Sequence, residues 1–313
     1  MISIREIIQA EERIAPFIHK TPVLTSSRID EICGCKILFK CENFQRTGSF
    51  KFRGALNAVS LLSSDIRTKG VITHSSGNFA QALALSAKLF NIPTYIVMPE
   101  NASGVKINAV KGYGGEIYFC EAKLESREIT CNKLIVATGA EFIHPYNDDQ
   151  IIAGQGTCAF ELLKGLKKQT DIIISPVGGG GLLSGTAIST KSLSSKTVVY
   201  GAEPKNADDA HRSFRSGHII PQTNPNTIAD GLLTSLGDKT FEIINTYVDD
   251  ILLCSEEQIK SAMRLIYENL KIVVEPSGAV SLAVILNNPD KFLNKSIAII
   301  ISGGNIDISQ FVW

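Results

Sequence analysis

Apolar and polar positions along the chain follow two rhythms, one of helical spacing and one of short continuous apolar runs. Near the start, Ile7, Ala10 and Ile14 share one helical face, and Ser3 with Glu6 three residues on makes a capping box, which predicts a helix. A break at Thr21-Pro22 precedes the apolar run Ile37–Lys40. From Gly70 the order is strand, turn, helix, strand: Val71-Ile72-Thr73, Ser75-Ser76-Gly77-Asn78, Ala80–Leu89 and Pro93–Pro99. The unit recurs as Asp171–Ser175, Gly178–Gly181, a helix from Leu182, and Thr197–Tyr200. A late helix opens near Ser255 with Gln258 as capping partner and carries Ile259, Ala262, Leu265, Ile266 and Leu270. It leads to a last strand, Ile297–Ile301, which runs into Ser302-Gly303-Gly304-Asn305. Strands that are apolar at successive positions predict parallel sheets covered by helices on both faces, and repeated strand–helix–strand units predict an α/β protein.

At 313 residues the chain has room for about two domains in close contact. Hydrophobic residues at 44% and charged residues at 20% exclude wholesale disorder. Lys+Arg 31 and Asp+Glu 31 cancel, so there is no broad basic field for nucleic acid. No apolar run approaches the roughly 18 residues of a membrane span, and charge enters by Arg5, without an uninterrupted apolar signal core. Seven cysteines, an odd number scattered along the chain, fit the reduced thiols of a cytoplasmic protein. Cys33, Cys35 and Cys41 lack a Cys-x-x-Cys spacing and a nearby His, so free thiols are expected there rather than a metal.

Gly178–Gly181 follows a buried strand and opens a helix. Four residues without Cβ let backbone N–H groups close around an anion, and the helix start adds partial positive charge. A phosphate cradle and a tight turn both fit; four glycines exceed what a turn needs. The dinucleotide fingerprint fails at Leu183 or Ser184, and no Gly-Lys-Ser/Thr occurs, so the phosphate belongs to something other than NAD or a P-loop nucleotide. Lys51, bracketed by Phe50 and Phe52, is either an exposed lysine at a helix start or a partly desolvated, nucleophilic amine. Beside a phosphate cradle, the second reading points to covalent attachment of pyridoxal phosphate.

Five ordered motifs carry a resemblance: Ser49-Phe50-Lys51-Phe52-Arg53-Gly54-Ala55, His74-Ser75-Ser76-Gly77-Asn78, Gly178–Gly181, Glu275-Pro276-Ser277-Gly278 and Ser302-Gly303-Gly304-Asn305. Together they resemble the pyridoxal-phosphate serine racemase and serine/threonine dehydratase family, with its two-domain tryptophan synthase β-like fold. Phe39-Lys40-Cys41-Glu42 and Ala153-Gly154-Gln155-Gly156-Thr157 are similar to the racemase branch. The resemblance implies a large cofactor-binding domain of residues 1–60 and 148–313 and a small substrate-gating domain of 61–147. It implies that Lys51 holds the cofactor and then acts as base on the substrate Cα–H. Phe50 would pack on the ring, Asn78 bond its phenolic oxygen, Gly178, Gly179, Gly180 and Gly181 bind the phosphate, and Ser302 face the ring nitrogen. Ser75, Ser76, Gly77 and Asn78 would take the substrate carboxylate, and Arg127 would stand near the substrate, able to read a β-carboxylate. Ser76 would return a proton on the face opposite Lys51, or would merely complete the carboxylate turn.

In the segment Glu203–Asp209, two carboxylates with a carbonyl between them suit a hard cation. The racemase pattern implies Mg²⁺, or Ca²⁺ or Mn²⁺, on Glu203, the Ala207 carbonyl and Asp209; a polar loop of solvated acids is the alternative. Ser26, Ser27, Thr47, Gln81, Lys106 and Tyr113 resemble an ATP effector site, with Arg46 in place of its lysine, a change that is not neutral for phosphate. Phe79 departs from the family's usual His. The resemblance therefore implies a homodimeric enzyme on small hydroxy amino acids, serine racemase with serine/threonine dehydratase activity. Alternatives are a dedicated threonine/serine or hydroxyaspartate dehydratase, a β-replacement synthase, and a non-catalytic cofactor-binding regulator.

Overall fold

The computed structural model describes residues 2–75, 77–102 and 104–307, the side chain of Leu124 apart. Within them, β1 (Val23–Leu24), β2 (Lys36–Cys41), β7 (Ile172–Pro176), β8 (Val198–Pro204), β9 (Asp250–Cys254) and β10 (Ser296–Ile301) form one sheet, ordered β1-β2-β10-β7-β8-β9. A second sheet, ordered β5-β4-β3-β6, comprises β3 (Val71–His74), β4 (Thr94–Pro99), β5 (Glu116–Cys120) and β6 (Glu141–Phe142). Every pairing is parallel except β1 with β2, an antiparallel edge that the hydrophobic pattern does not announce in so short a run.

Burial explains the continuous apolar strands. Ile172, Ile174, Ile297 and Ile299 face a cluster with Ile259, Ala262, Ile266, Val280 and Val284. Ile173 and Ala298, one position along, face Ala159, Leu183, Ala187 and Ile244 on the other side. Both faces of the larger sheet are thus helix-covered. In the smaller sheet, Val71 and Ile96 meet the helices Lys51–Ser60 and Asn78–Leu89, whereas Ile72 and Val97 meet Cys131 of the helix Leu124–Thr138. The expected capping boxes form at Ser3/Glu6 and Ser255/Gln258. All seven cysteines are free and buried. Among the described residues, no helix is long and apolar enough to cross a membrane.

Two features set up the site. Register pairs Ile301 with Cys41 and Pro176 with Ala202, so β2, β7 and β10 end together, β8 runs two residues further, and their following loops gather at one edge. The helix Asp149–Gly165 also packs backbone to backbone on the helix Lys51–Ser60: a Cβ at Gly154 would lie 2.6 Å from the Gly54 Cα.

Candidate active site

Lys51 is the first residue of its helix, and Phe50 supplies no side-chain cap. Neighbours hold that first turn instead. Phe50 N–H donates to the Ser302 carbonyl at 3.0 Å, and Gly54 N–H donates to Gln155 Oε1 at 3.1 Å. Arg53, fully buried, donates to both carboxylate oxygens of Glu42 at 2.7 and 2.8 Å and to Glu161 at 3.1 Å. Lys40 pairs with Glu161 and donates to the Thr21 carbonyl at 2.9 Å, so the buried charges are matched and bonded.

The Lys51 side chain is half-buried, not exposed as an ordinary lysine. Its Nζ donates to the Pro145 carbonyl at 3.2 Å and lies 5.0 Å from the Phe50 ring centroid and 5.9 Å from that of Phe79. Burial lowers its pKa to about 8, against the opposing pull of the Glu275 charge. Glu275 is buried, with its pKa raised to about 7 by burial and by Asp230. One oxygen accepts from Asn78 Nδ2 at 2.8 Å; the other, Oε2, is buried and unpartnered. Asn78 Oδ1 accepts from Asn305 Nδ2 at 2.9 Å, and Asn305 also donates to the Thr47 carbonyl at 2.7 Å.

Across from this group lie the four glycines. A Cβ at Gly179 would overlap the Tyr146 ring, and one at Gly178 would lie 3.0 Å from the Leu232 Cα. Gly180 has φ +90°, favouring glycine, and a Cβ there would lie 2.8 Å from the Thr240 side chain. The helix Gly181–Leu193 starts without a side-chain cap, leaving its first N–H groups for an anion. Tyr146 and Pro145 are consecutive, which places the cradle beside the Lys51 amine. A glycine cradle, uncapped helix N–H groups and an amine of lowered pKa together fit a phosphate-bearing aldehyde cofactor.

Of the other expected residues, Ser302 is buried and tied to Phe50, and Ser75 Oγ accepts from Gly77 N–H at 3.3 Å. Ser76 lies outside the described residues. Arg127 is half-buried, its Nε unpartnered, and its charge acts on His74 and Cys120. His74 stacks on Phe142 with centroids 5.5 Å apart; edge contacts continue from Phe142 to His144 at 5.9 Å and from His144 to Tyr146 at 4.6 Å. Glu203 is the penultimate residue of β8 and accepts from Ala210 and His211 N–H groups at 2.9 and 2.8 Å. Its pKa stands well above the usual value through burial and Asp209; burial raises Asp209 to about 7, and Asp209 Oδ1 has no partner. Ala207 is buried in the adjoining turn Lys205–Ala207. Among the described residues no group of three or more His, Cys, Asp or Glu could hold a metal.

Thr47 has φ +59° and Thr47 Oγ1 and Arg46 Nε are buried without partners, while Lys106 pairs with Asp230. Sequence reasoning assigned no role to Glu275, His144 or Tyr146. Glu275 stood in a recognised motif, but its environment is made by residues about 200 positions away, such as Asn78.

Fold and site together define an α/β enzyme built around a half-buried lysine and a phosphate cradle. The family model for pyridoxal-phosphate dependent enzymes matches residues 14–303, and the chain belongs to that family, with its tryptophan synthase β-like fold. It is similar to a serine racemase of Dictyostelium discoideum, 50% identical over 313 residues, covering 99% of this chain and 96% of that protein. It is also 47% identical over 308 residues to a beta-hydroxyaspartate dehydratase of Paracoccus denitrificans (strain Pd 1222), covering 98% of each. The solved structure of maize serine racemase matches with a TM-score of 0.96 at 46% identity, covering 98% of this chain and 94% of that one.

Proposed function

We propose that this chain racemises serine and also eliminates ammonia from small β-hydroxy amino acids. The observation that carries the reading is the Lys51 amine, held by Pro145, flanked by Phe50 and Phe79, and shifted to about 8 beside a glycine cradle. Pyridoxal phosphate, when bound, supplies an aldehyde for attachment and a ring that stabilises negative charge at Cα. Gly178–Gly181 would bind its phosphate, Phe50 would pack on its ring, and Asn78 and Ser302 would face the phenolic oxygen and the ring nitrogen. Ser75, Ser76, Gly77 and Asn78 orient the substrate carboxylate. Lys51 takes the Cα proton from its side, and Ser76 delivers one from the opposite side to give the D-enantiomer. If the β-hydroxyl leaves instead, the product hydrolyses to a 2-oxo acid and ammonia. The 61–147 unit closes over the substrate against the unit made of 1–60 and 148–313.

The same reading assigns Glu203, the Ala207 carbonyl and Asp209 to Mg²⁺, or to Ca²⁺ or Mn²⁺; two buried acids with raised pKa values and the bare Asp209 Oδ1 support a cation there. ATP is the proposed effector near Arg46, Thr47 and Lys106, and a cytoplasmic homodimer the proposed form. A second reading, a hydroxyaspartate dehydratase without racemisation, is favoured by the unpartnered Arg127 guanidinium Nε, suited to a β-carboxylate, and by the Paracoccus relative.

Purified holoenzyme offered L-serine, D-serine, L-threonine and hydroxyaspartate, with and without Mg²⁺, separates the two. D-serine and pyruvate formed together from L-serine are expected, faster with Mg²⁺. Oxo acid without D-serine, and highest from hydroxyaspartate, selects the second reading.

A further inference from the structure

The turn that carries Pro145 is built by one side chain. His144 Nδ1 accepts two backbone N–H groups, from Asn147 at 2.9 Å and from Tyr146 at 3.3 Å. A nitrogen that accepts carries no proton, so the neutral ring holds its proton on Nε2. These two hydrogen bonds curl residues 144–147 back on themselves and leave the carbonyl of Pro145, between them, to receive Lys51 Nζ at 3.2 Å. On its far side the turn is fixed by Asn147, which bonds Asp238 at 2.6 Å and accepts from Lys239 N–H at 3.1 Å. Edge-on rings of Phe142 and Tyr146 hold the imidazole plane.

We propose that His144 is a positioning residue for Lys51: its Nδ1 folds the turn that aims the Pro145 carbonyl at the lysine amine and so directs the amine toward the reacting carbon. The physical need is plain. A lysine stem has four rotatable bonds, and a base acting on one face of a substrate must present its lone pair along one line. One acceptor on an N–H of the free amine removes most of that freedom. The groups facing His144 keep the ring in the accepting state. Burial, then the positive charges of His74 and Lys51, lower its pKa to about 4, with only Asp238 opposing. The inference rests on the reading of Lys51 as the reactive amine, so one arm of its test does not involve turnover.

That arm is ¹⁵N-histidine NMR of the wild-type holoenzyme. His144 is expected as the Nε2–H tautomer, with Nδ1 in the hydrogen-bonded acceptor range, from about pH 8 down to about pH 5. An Nδ1–H tautomer, or a ring charged at pH 6 and above, overturns the proposal even if the enzyme turns over no hydroxy amino acid. The kinetic arm compares His144→Asn, whose Oδ1 reproduces the Nδ1 acceptor, with His144→Phe, which keeps shape and loses the acceptor. His144→Phe is expected to lose about 10- to 100-fold in kcat with KM within about threefold, and to change the circular dichroism of the bound-cofactor band. His144→Asn is expected within about threefold of wild type in both constants, with an unchanged band. Equal loss in both variants, or loss in neither, overturns the proposal. Should the Phe variant fail to fold, His144→Gln takes its place, since its amide reaches the Nε2 position and misses the two N–H groups.

Discussion

Glu275 shifts Lys51 in a direction that pH can read. Burial lowers the Lys51 pKa and the Glu275 charge, present above about pH 7, opposes it; together they leave the amine free above about pH 8. Capture of a free aldehyde needs the unprotonated amine. The rate of pyridoxal phosphate uptake by apoprotein should therefore rise with pH to a midpoint near 8, well below that of an ordinary lysine. Glu275→Gln removes the negative charge and keeps an acceptor for Asn78. Without that charge the amine loses its proton more readily, so the midpoint should move to lower pH. Stopped-flow absorbance of the bound cofactor follows this directly. A midpoint that stays put or climbs in the Gln variant would show that the two groups are not coupled. Lys51→Ala should abolish the band altogether.

At the scale of elements, the amine is only as well placed as its helix, and that helix is set by contact with its neighbour. A Cβ at Gly154 would stand 2.6 Å from the Gly54 Cα and 2.7 Å from the Arg53 carbonyl, backbone that cannot swing aside. Gly154→Ala should therefore push the Lys51 helix away, lower stability by about 1–3 kcal/mol and weaken cofactor retention. Gly165→Ala, at the end of the same helix with nothing within 4 Å, is the control and should be neutral or slightly stabilising. Thermal melts and spectral titration of the two variants make the comparison; equal Tm values would mean the crossing has slack. The contrast shows what the sequence disclosed. Strands and caps such as Ser3/Glu6 were legible because the groups that decide them lie within a few residues. The Gly54–Gly154 crossing, the Gln155 bond to Gly54 N–H and the Arg53–Glu42–Glu161 cluster were not, because each joins segments far apart in the chain. The same division holds at the site. Lys51, Asn78 and Gly178–Gly181 stand in local motifs, whereas the raised pKa of Glu275 and the acceptor role of His144 arise only once burial surrounds them.

For the molecule as a whole, the question is how the two sheets are held across the site, and one ion pair spans it directly. Lys106, on the helix Gly104–Gly112 beside the smaller sheet, pairs with Asp230 in the turn Asp230–Leu232, and that turn backs Gly178 of the cradle. Lys106 Nζ also lies about 4.0 Å from where a Gly77 Cβ would stand, so the pair borders the turn proposed to hold the substrate carboxylate. Asp230 is about half exposed and Lys106 only slightly so, which puts the pair in the class of partly screened surface bridges worth about 0.2–1 kcal/mol. At that size the bridge cannot hold the fold, but it can bias the proposed closure of the 61–147 unit. Lys106→Met and Asp230→Asn should each raise the KM for serine up to about fivefold, since 1.4 kcal/mol corresponds to tenfold, and leave Tm nearly unchanged. Salt should weaken the wild-type bridge, so wild-type KM should rise with sodium chloride while both variants start high and respond less. A charge exchange, Lys106→Asp with Asp230→Lys, should recover part of the loss. Wild type and variants sharing one salt dependence, with no recovery in the exchange, would mean that closure is set by packing of the two sheets' helices and not by this pair.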